Sequence, residues 1–101
     1  MTGFAEAAGK AGPRVLVSQP LRRYTGNLGE HDVQGATVGE ALRGLGERYP
    51  ELASKLFRDD GSLRAYLIVY LGDKDIRLLE GEKTPVEPGG TIKLYAALAG
   101  G

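Results

Sequence analysis

The last two residues of this 101-residue chain, Gly100 and Gly101, place a free α-carboxylate on a residue that has no side chain. Glycine has the widest backbone freedom of any residue, so such an end can thread a narrow channel and present its carboxylate to another protein's active site. A carboxylate is a poor electrophile, but once ATP adenylates it a sulfur or amine nucleophile can attack. A frayed terminus or a cloning remnant would also end in this way, so the two glycines alone leave both interpretations open.

The residues just before these glycines must hold the tail in place. Between 91 and 95, polar and apolar residues alternate, which is typical of a half-buried strand. We therefore expect a rigid last strand followed by a flexible tail over residues 97–101, in which Leu98 and Ala99 also contact a partner. The folded domain is expected to span residues 14–96, after a flexible leader at 1–13 that is rich in Ala and Gly.

Composition argues against several functional classes. Lys and Arg together number 13, as do Asp and Glu, so the chain has no basic field of the kind that binds nucleic acid or an anionic membrane. It has no cysteine and one histidine, His31, which argues against disulfides, thiolate nucleophiles and zinc sites. No apolar run reaches membrane-spanning length, and no secretory signal is recognisable. We predict a cytoplasmic protein with no metal and no bound cofactor.

The first half of the predicted sheet carries a basic segment. The predicted elements here are a strand, a basic loop and a second strand that completes a hairpin, at 14–18, 21–27 and 30–34. Pro20 interrupts the first strand because proline cannot donate a hydrogen bond to a ladder. In the loop, Arg22 and Arg23 could grip the carboxylates of a partner, although a simple solvated loop explains them as well.

The clearest local signal is an amphipathic helix. Thr37 as N-cap and Glu40 three residues later form a capping box. Five apolar residues then recur at helical spacing and define one buried face: Val38, Ala41, Leu42, Leu45 and Tyr49. Pro50 stops the helix, because the residue before a proline avoids helical geometry, and residues 51–57 add a further turn or two.

The strongest predicted strand, residues 66–71, is apolar on both faces. One face suffices to pack against a helix, so the surplus residues Tyr66, Ile68 and Tyr70 form a candidate docking surface. The alternative is that these side chains simply cover the sheet with amphipathic rings. For residues 76–79 we predict a short strand or edge segment.

Strands grouped around one helix indicate an α+β roll. The expected fold is a mixed sheet of four to five strands with one main helix across one face. If the first and last strands pair in parallel at the middle of this sheet, the C-terminus leaves it at one end and the tail is well presented. The residue pattern alone does not establish that pairing.

The chain shows no recognisable catalytic apparatus of its own. We find no phosphate-binding loop, no dinucleotide-binding fingerprint and no paired catalytic carboxylates. His31 has no other histidine or cysteine to work with, and we expect it on a strand surface. This pattern fits a protein that enzymes act upon.

The chain resembles a known family. Its size and predicted strand order are similar to those of the MoaD/ThiS family of ubiquitin-like β-grasp sulfur carriers. The segments that carry the resemblance are Asp75-Ile76-Arg77 with Gly81 and Thr84-Pro85, then Pro88-Gly89-Gly90-Thr91-Ile92, and the end from Ala96 to Gly101. Leu21-Arg22 followed by Thr25-Gly26 is more similar to the CysO-type and MoaD-like carriers than to the thiazole carrier. The informative combination is the Gly-Gly end on a β-grasp pattern.

The resemblance implies a mechanism for the tail. An E1-like adenylating enzyme, using ATP and magnesium, would convert the Gly101 carboxylate to an acyl-adenylate, and a sulfurtransferase or sulfide would then give a thiocarboxylate. A sulfur-accepting synthase would take the sulfur for cysteine, molybdopterin, thiamine, thio-tRNA or another natural product. Gly100 would keep the tail slim. Partner contacts would come from the sheet and the basic loop, at Ile68, Tyr70, Arg22, Arg23 and Arg77.

Two rival functions stay open on the sequence. A lysine of a target protein could attack the same adenylate, which would make the chain a ubiquitin-like modifier that forms isopeptide bonds. Alternatively, the chain is a non-catalytic β-grasp interaction subunit that ends in Gly-Gly incidentally. Under each of these interpretations the chain is a carrier, a substrate or a small subunit of a synthase rather than an enzyme.

Overall fold

A computed structural model of the chain describes residues 12–96. Within them it shows strands β1 (Arg14–Val17), β2 (Glu30–Asp32), β3 (Leu67–Leu71), β4 (Lys74–Asp75) and β5 (Thr91–Ala96). The α-helices are α1 (Gln19–Arg22), α2 (Val38–Arg48) and α3 (Pro50–Leu56), and two 3₁₀ turns lie at Ile76–Leu78 and Gly81–Lys83. The strands form one five-stranded sheet in the order β2-β1-β5-β3-β4. The predicted α+β fold with a mixed sheet and one main helix is confirmed.

The first and last strands are neighbours at the centre of this sheet. Strand β1 pairs with β5 in parallel, with Val15 opposite Ile92 and Val17 opposite Leu94. Strand β2 is antiparallel to β1, and β3 is antiparallel to β5. The predicted hairpin and the parallel pairing that the tail requires are therefore both present. A central strand has hydrogen-bonded neighbours on both edges, so β5 is a rigid support for whatever follows Ala96.

One face of the sheet is buried against the helices. Successive side chains of a strand point to opposite faces, and alternate residues of β1, β3 and β5 are accordingly buried. They are Val15, Val17, Leu67, Val69, Ile92 and Leu94. These residues share a single hydrophobic core with the apolar face of α2 and with Leu52 and Leu56 of α3. The helices thus cover one face and leave the other open.

Helix α2 begins at the predicted cap. The Thr37 Oγ1 accepts a hydrogen bond from the Glu40 backbone N–H at 3.2 Å. The Glu40 carboxylate reaches back to the backbone N–H of Ala36 at 2.8 Å, one residue before the cap. Both bonds satisfy backbone donors that a helix start leaves free. The helix ends at Arg48 and α3 begins at Pro50, as a proline in the first turn favours.

Gly35, just before α2, permits close packing that no other residue allows. Its φ is +149°, and a Cβ there would lie 2.7 Å from the Ala41 backbone nitrogen. We expect Gly35→Ala to lower the free energy of unfolding by about 3 kcal/mol, since it combines backbone strain with a clash against helix backbone. Chemical denaturation measures this loss. Gly61→Ala is the matched control, because Gly61 also has a positive φ but has open space around it; its loss should be about 1 kcal/mol. Equal losses would contradict the packing argument.

Two local predictions are wrong. The predicted loop at 21–27 does not begin at residue 21, because residues 19–22 form α1. Proline is tolerated in the first helical turn, where its missing N–H has no partner to lose. Ile76–Leu78 forms a 3₁₀ turn rather than a strand, and the Asp75 carboxylate caps it by accepting a hydrogen bond from the Arg77 backbone N–H at 2.9 Å.

The ends of the predicted domain lie at the limits of the described residues. The leader predicted for 1–13 falls outside them apart from Gly12 and Pro13. Gly12 accepts a backbone hydrogen bond from Gly89 at 3.2 Å, and Pro13 accepts one from Val33 at 3.0 Å. The tail predicted for 97–101 falls wholly outside them.

Candidate functional site

The tail root is the end of β5 at Ala96, from which the chain continues to its Gly-Gly end. Ala96 pairs with Leu67, the first residue of β3. On the other side, the backbone N–H of Ser18, just past the end of β1, donates to the Leu94 carbonyl at 3.0 Å. The chain therefore leaves the sheet between two bonded neighbours. The predicted site residues Leu98, Ala99, Gly100 and Gly101 lie beyond the described residues.

A shallow groove lies on the open face next to the tail root. It measures about 460 Å³ and is lined by Ile68, Tyr70, Gly72, Asp73, Lys93 and Tyr95. The register places Ile68 beside Tyr95 and Tyr70 beside Lys93. The Tyr70 and Tyr95 rings meet edge to face at 6.0 Å between centroids and an interplanar angle of 87°, and 42% of Tyr95 is exposed. Amphipathic rings above an apolar floor are suited to protein docking.

The other half of the open face is polar. Arg14 on β1 forms ion pairs with Glu30 at 3.8 Å and with Asp32 at 3.6 Å, both on β2. These charges are exposed and contribute little stability. The apolar part of the face is therefore concentrated over β3 and β5, beside the strand that carries the tail.

The structure places Ile68 and Tyr70 on this groove, but it places Tyr66 elsewhere. The Tyr66 hydroxyl donates to the Lys55 carbonyl at the end of α3, at 2.8 Å, and its ring packs against the core. Tyr66 precedes β3, which begins at Leu67. The alternation of side chains between the two faces of a strand therefore does not extend to Tyr66. Conversely, Tyr95 and Lys93 belong to the groove and were missed, although they alternate with buried residues along β5 in the same way.

Arg22 and Arg23 lie near the tail root rather than on the open face. Arg22 is the last residue of α1, a helix that packs beside β5. The Nε of Arg22 donates to the Val17 carbonyl at 2.8 Å. The Arg23 guanidinium carbon lies 5.7 Å from the Tyr24 ring centroid. Both arginines are exposed, so their charges face solvent at the edge from which the tail leaves.

Arg77 is separate from these residues. Its guanidinium binds the Asp75 carboxylate, with Nη2–Oδ2 at 2.6 Å and Nε–Oδ1 at 3.1 Å. The hydrogen bonds from Arg77 lower the pKa of Asp75 below its usual range. Both residues line a second groove with Val69 and Ile76, of about 250 Å³. Arg77 is thus engaged by its own chain and does not join Ile68 and Tyr70.

His31 is buried, so the expectation that it lies on a strand surface is wrong. Only 5% of it is exposed, because it lies opposite Val15 on the buried side of the sheet. Its Nε2 is 2.9 Å from the Leu28 carbonyl oxygen, and its ring meets the edge of Tyr49 at 5.2 Å. These contacts give His31 a structural role at the helix–sheet interface.

The described residues contain neither a candidate metal site nor a helix that could span a membrane. Within 12–96, no three His, Asp or Glu side chains come together in a group that could hold a metal ion. The longest helix described there, α2, has 11 residues, and none of those helices has the length and apolar character of a membrane span.

Comparisons with known proteins agree with this fold. The CysO sulfur carrier protein of Mycobacterium tuberculosis is 30% identical over 91 residues, which cover 86% of this chain and 98% of that protein. Ubiquitin-related modifier 1 of Encephalitozoon cuniculi is 36% identical over 77 residues, covering 73% and 80% of the two chains. A chain in the crystal structure of the Amycolatopsis orientalis BexX/CysO complex superposes with a TM-score of 0.80 at 29% identity, covering 89% of this chain and 100% of that one.

A family model also matches most of the chain. The model of the ThiS family matches residues 15–101, a range that includes β1 from Val15 onward, the other four strands, the tail root and the Gly-Gly end. The neighbours share the β-grasp arrangement of a mixed sheet and a crossing helix. The chain belongs to the ThiS family.

Proposed function

We propose that this chain is a sulfur carrier, which delivers sulfur in a biosynthetic pathway as a thiocarboxylate on Gly101. The observation that carries the proposal is the position of the tail: a ThiS-family chain ending in Gly-Gly continues from the central strand of its sheet. The sulfur carrier among its relatives matches the chain over 86% of its length. The chain is a substrate of partner enzymes and is not itself an enzyme.

The proposed chemistry takes place at the terminal carboxylate. A carboxylate oxygen of Gly101 attacks the α-phosphorus of ATP in an E1-like adenylating enzyme, and pyrophosphate leaves. Magnesium bound with the ATP neutralises the charge that builds up on the phosphates. Sulfide then attacks the carbonyl carbon and AMP leaves, which gives the thiocarboxylate. If the persulfide of a sulfurtransferase attacks instead, AMP leaves and a thiol then reduces the acyl disulfide to release the thiocarboxylate. A sulfur-accepting synthase consumes the thiocarboxylate and returns the carboxylate.

The groove formed by Ile68, Tyr70 and Tyr95 is the proposed docking surface for the adenylating enzyme. It combines an apolar side chain and two tyrosine rings with the charged Asp73 and Lys93, and β5 forms one side of it, so an enzyme that covers it also receives the tail. Because β5 is held by β1 and β3, docking on the groove fixes the starting point of the tail. Fixing the starting point orients the carboxylate, and orientation can lower the barrier of a reaction by several kcal/mol.

A second candidate function is protein modification. It is favoured by one observation, the similarity over 77 residues to a ubiquitin-related modifier. A target lysine would attack the acyl-adenylate, AMP would leave, and an isopeptide bond would form. The two functions use the same activated tail and differ in the nucleophile that ends the reaction.

Intact-protein mass spectrometry of the chain from its native host, under denaturing and thiol-free conditions, tests the proposal. We expect a species in which one sulfur replaces one oxygen, localised to the terminal fragment that contains Gly100 and Gly101. Lysine-linked conjugates on a denaturing gel would instead favour the modifier. If the chain carries no sulfur and the adenylating enzyme of the same organism forms no adenylate on it in vitro, the carrier proposal is wrong and an interaction subunit becomes the better interpretation.

A further inference from the structure

The chain is neutral overall but its charges are unevenly distributed. The segments that border the tail root, 18–29, 52–58 and 62–72, contain no Asp or Glu, and neither does the segment 91–101 that includes the tail. The same segments contain six of the 13 Lys and Arg residues. All the carboxylate side chains therefore belong to other parts of the chain. These segments therefore carry positive charge, and the nearest carboxylate to Lys55 along α3 is Glu51, one helical turn earlier.

Three exposed cations gather at that edge, and we call Arg22, Arg23 and Lys55 the basic rim. Two of them, Arg23 and Lys55, lie over the ring of Tyr24, which packs against the core. The Arg23 guanidinium carbon lies 5.7 Å from the Tyr24 ring centroid, and the Lys55 Nζ lies 5.4 Å from it. Cations are attracted to the face of an aromatic ring, so Tyr24 holds the two side chains over one small area.

The basic rim is connected to both sides of the tail root. On one side, Arg22 is fixed to the Val17 carbonyl at 2.8 Å, at the end of the strand that pairs with β5. On the other side, the Lys55 carbonyl accepts the Tyr66 hydroxyl at 2.8 Å, and Tyr66 immediately precedes Leu67, the partner of Ala96. The cations thus flank the point at which the described chain ends.

Among the residues that the structure describes, these cations have no carboxylate partner. The ion pairs within residues 12–96 involve Arg14, Arg43 and Arg77, and none involves the basic rim. Like charges held near one ring repel one another, and solvent screens this repulsion only in part. A partner carboxylate placed against the rim would remove the repulsion and replace it with attraction.

We propose that the basic rim docks against carboxylates around the mouth of the channel in which the adenylating enzyme receives the tail. This inference rests on the proposed function and names a second contact for it, distinct from the apolar groove. Complementary charges at a channel mouth guide the tail toward the opening before the groove is covered, and they act chiefly on the association rate. The carboxylates elsewhere on the chain cancel the field of the rim at long distance. The attraction therefore acts only at short range, where it favours the orientation in which the rim faces the channel mouth.

The chemistry of the rim favours an acidic protein surface over nucleic acid. Three cations on a chain with zero net charge make too small a field for backbone phosphates, whose binding proteins usually carry extended basic patches. The rim also lies beside the tail root, and the tail must enter a protein channel to be adenylated. An acidic channel mouth satisfies both the charge and the position.

The test compares two double charge reversals in stopped-flow association with the adenylating enzyme of the same organism. Arg23→Glu/Lys55→Glu reverses the basic rim. Lys74→Glu/Lys83→Glu is the matched control, because it makes the same change in net charge at exposed lysines of β4 and the second 3₁₀ turn. We expect the rim variant to associate at least about tenfold more slowly at low ionic strength, the difference to shrink as salt is added, and the control to stay within about twofold of wild type.

Several results would overturn the inference, and each is distinguishable from failure of the proposed function. If wild type is adenylated and the rim variant associates like the control, or is slowed equally at all salt concentrations, the rim is not an electrostatic contact. Faster association of the rim variant would show that the rim captures the chain's own terminal carboxylate instead. If wild type itself yields no adenylate, the proposed function fails first.

Discussion

Removal of Gly101 alone is expected to reduce formation of the acyl-adenylate at least 100-fold while the protein stays folded. One residue of extended chain spans about 3.5 Å, so the carboxylate of the shortened tail falls short of its reaction position at the α-phosphorus of ATP by that distance. Displacements of about 1 Å already lower enzymatic rates by about 100-fold. The folded domain does not depend on the last residue, because exposed termini contribute little to stability. Pyrophosphate release measures the first effect, and calorimetry should find Tm within about 1 °C of wild type.

The matched control for this deletion lengthens the tail. A chain with one alanine added after Gly101 keeps every native residue but moves the carboxylate outward by the same distance, so it should be as inactive as the shortened chain. Activity in either variant would contradict a fixed reaction position for the carboxylate. A fall in Tm of several degrees on deletion would mean that the tail is part of the fold, and would count against its role as a substrate.

The elements with strong local signals could be predicted from the sequence. Thr37 and Glu40 cap α2 through short-range hydrogen bonds that need no tertiary context. The apolar face of α2 follows from the helical period, and its residues are buried as expected. Ile68 and Tyr70 could be assigned to a surplus face because β3 is apolar on both sides. The β3 side of the groove could therefore be predicted, whereas its β5 side was missed.

The wrong predictions arose where two rules compete for the same residue. Pro20 disfavours a strand and favours a first helical turn, and the outcome depends on Leu21, which is buried in the core and anchors α1. Ile76 is apolar as a strand residue would be, but the Asp75 carboxylate binds the Arg77 backbone and closes a 3₁₀ turn. Tyr66 follows the alternation of β3 in sequence, yet the strand begins one residue later. Burial of Leu21 in the core decides the first case, whereas a local side-chain cap decides the second.

The parallel pairing of β1 with β5 is the feature of the fold that matters most for function, and local pattern could not give it. The two strands are separated by the whole intervening chain, and Val15 meets Ile92 only because the other elements fold between them. The alternation of polar and apolar residues predicts which face of each strand is buried, but it does not indicate which strands are neighbours or whether they run parallel. The basic rim has the same origin, because Arg23 and Lys55 are distant in sequence and meet only over Tyr24.

The largest effect expected on the folded surface is that of Ile68→Asp, which should weaken binding to the adenylating enzyme about 100-fold. Ile68 lies on the floor of the docking groove, so the change removes an apolar anchor and places a carboxylate where docking must strip its water. Losing such an anchor raises the binding free energy by 2 kcal/mol or more, and burying an unpaired charge adds to this. Aspartate in a strand lowers stability by about 1 kcal/mol, so titration calorimetry at 25 °C would still measure folded protein.

Leu78→Asp separates the loss of the anchor from the addition of charge. Leu78 is 81% exposed in the first 3₁₀ turn and does not line the groove, yet its replacement adds the same single negative charge to the chain. Any general weakening of attraction between the basic rim and an acidic enzyme therefore affects both variants alike. We expect Leu78→Asp to bind within about twofold of wild type, since a charge outside the interface changes affinity little. If both variants lose the same affinity, the effect comes from long-range charge and not from the groove. If Ile68→Asp binds as tightly as wild type, the groove is not the docking surface.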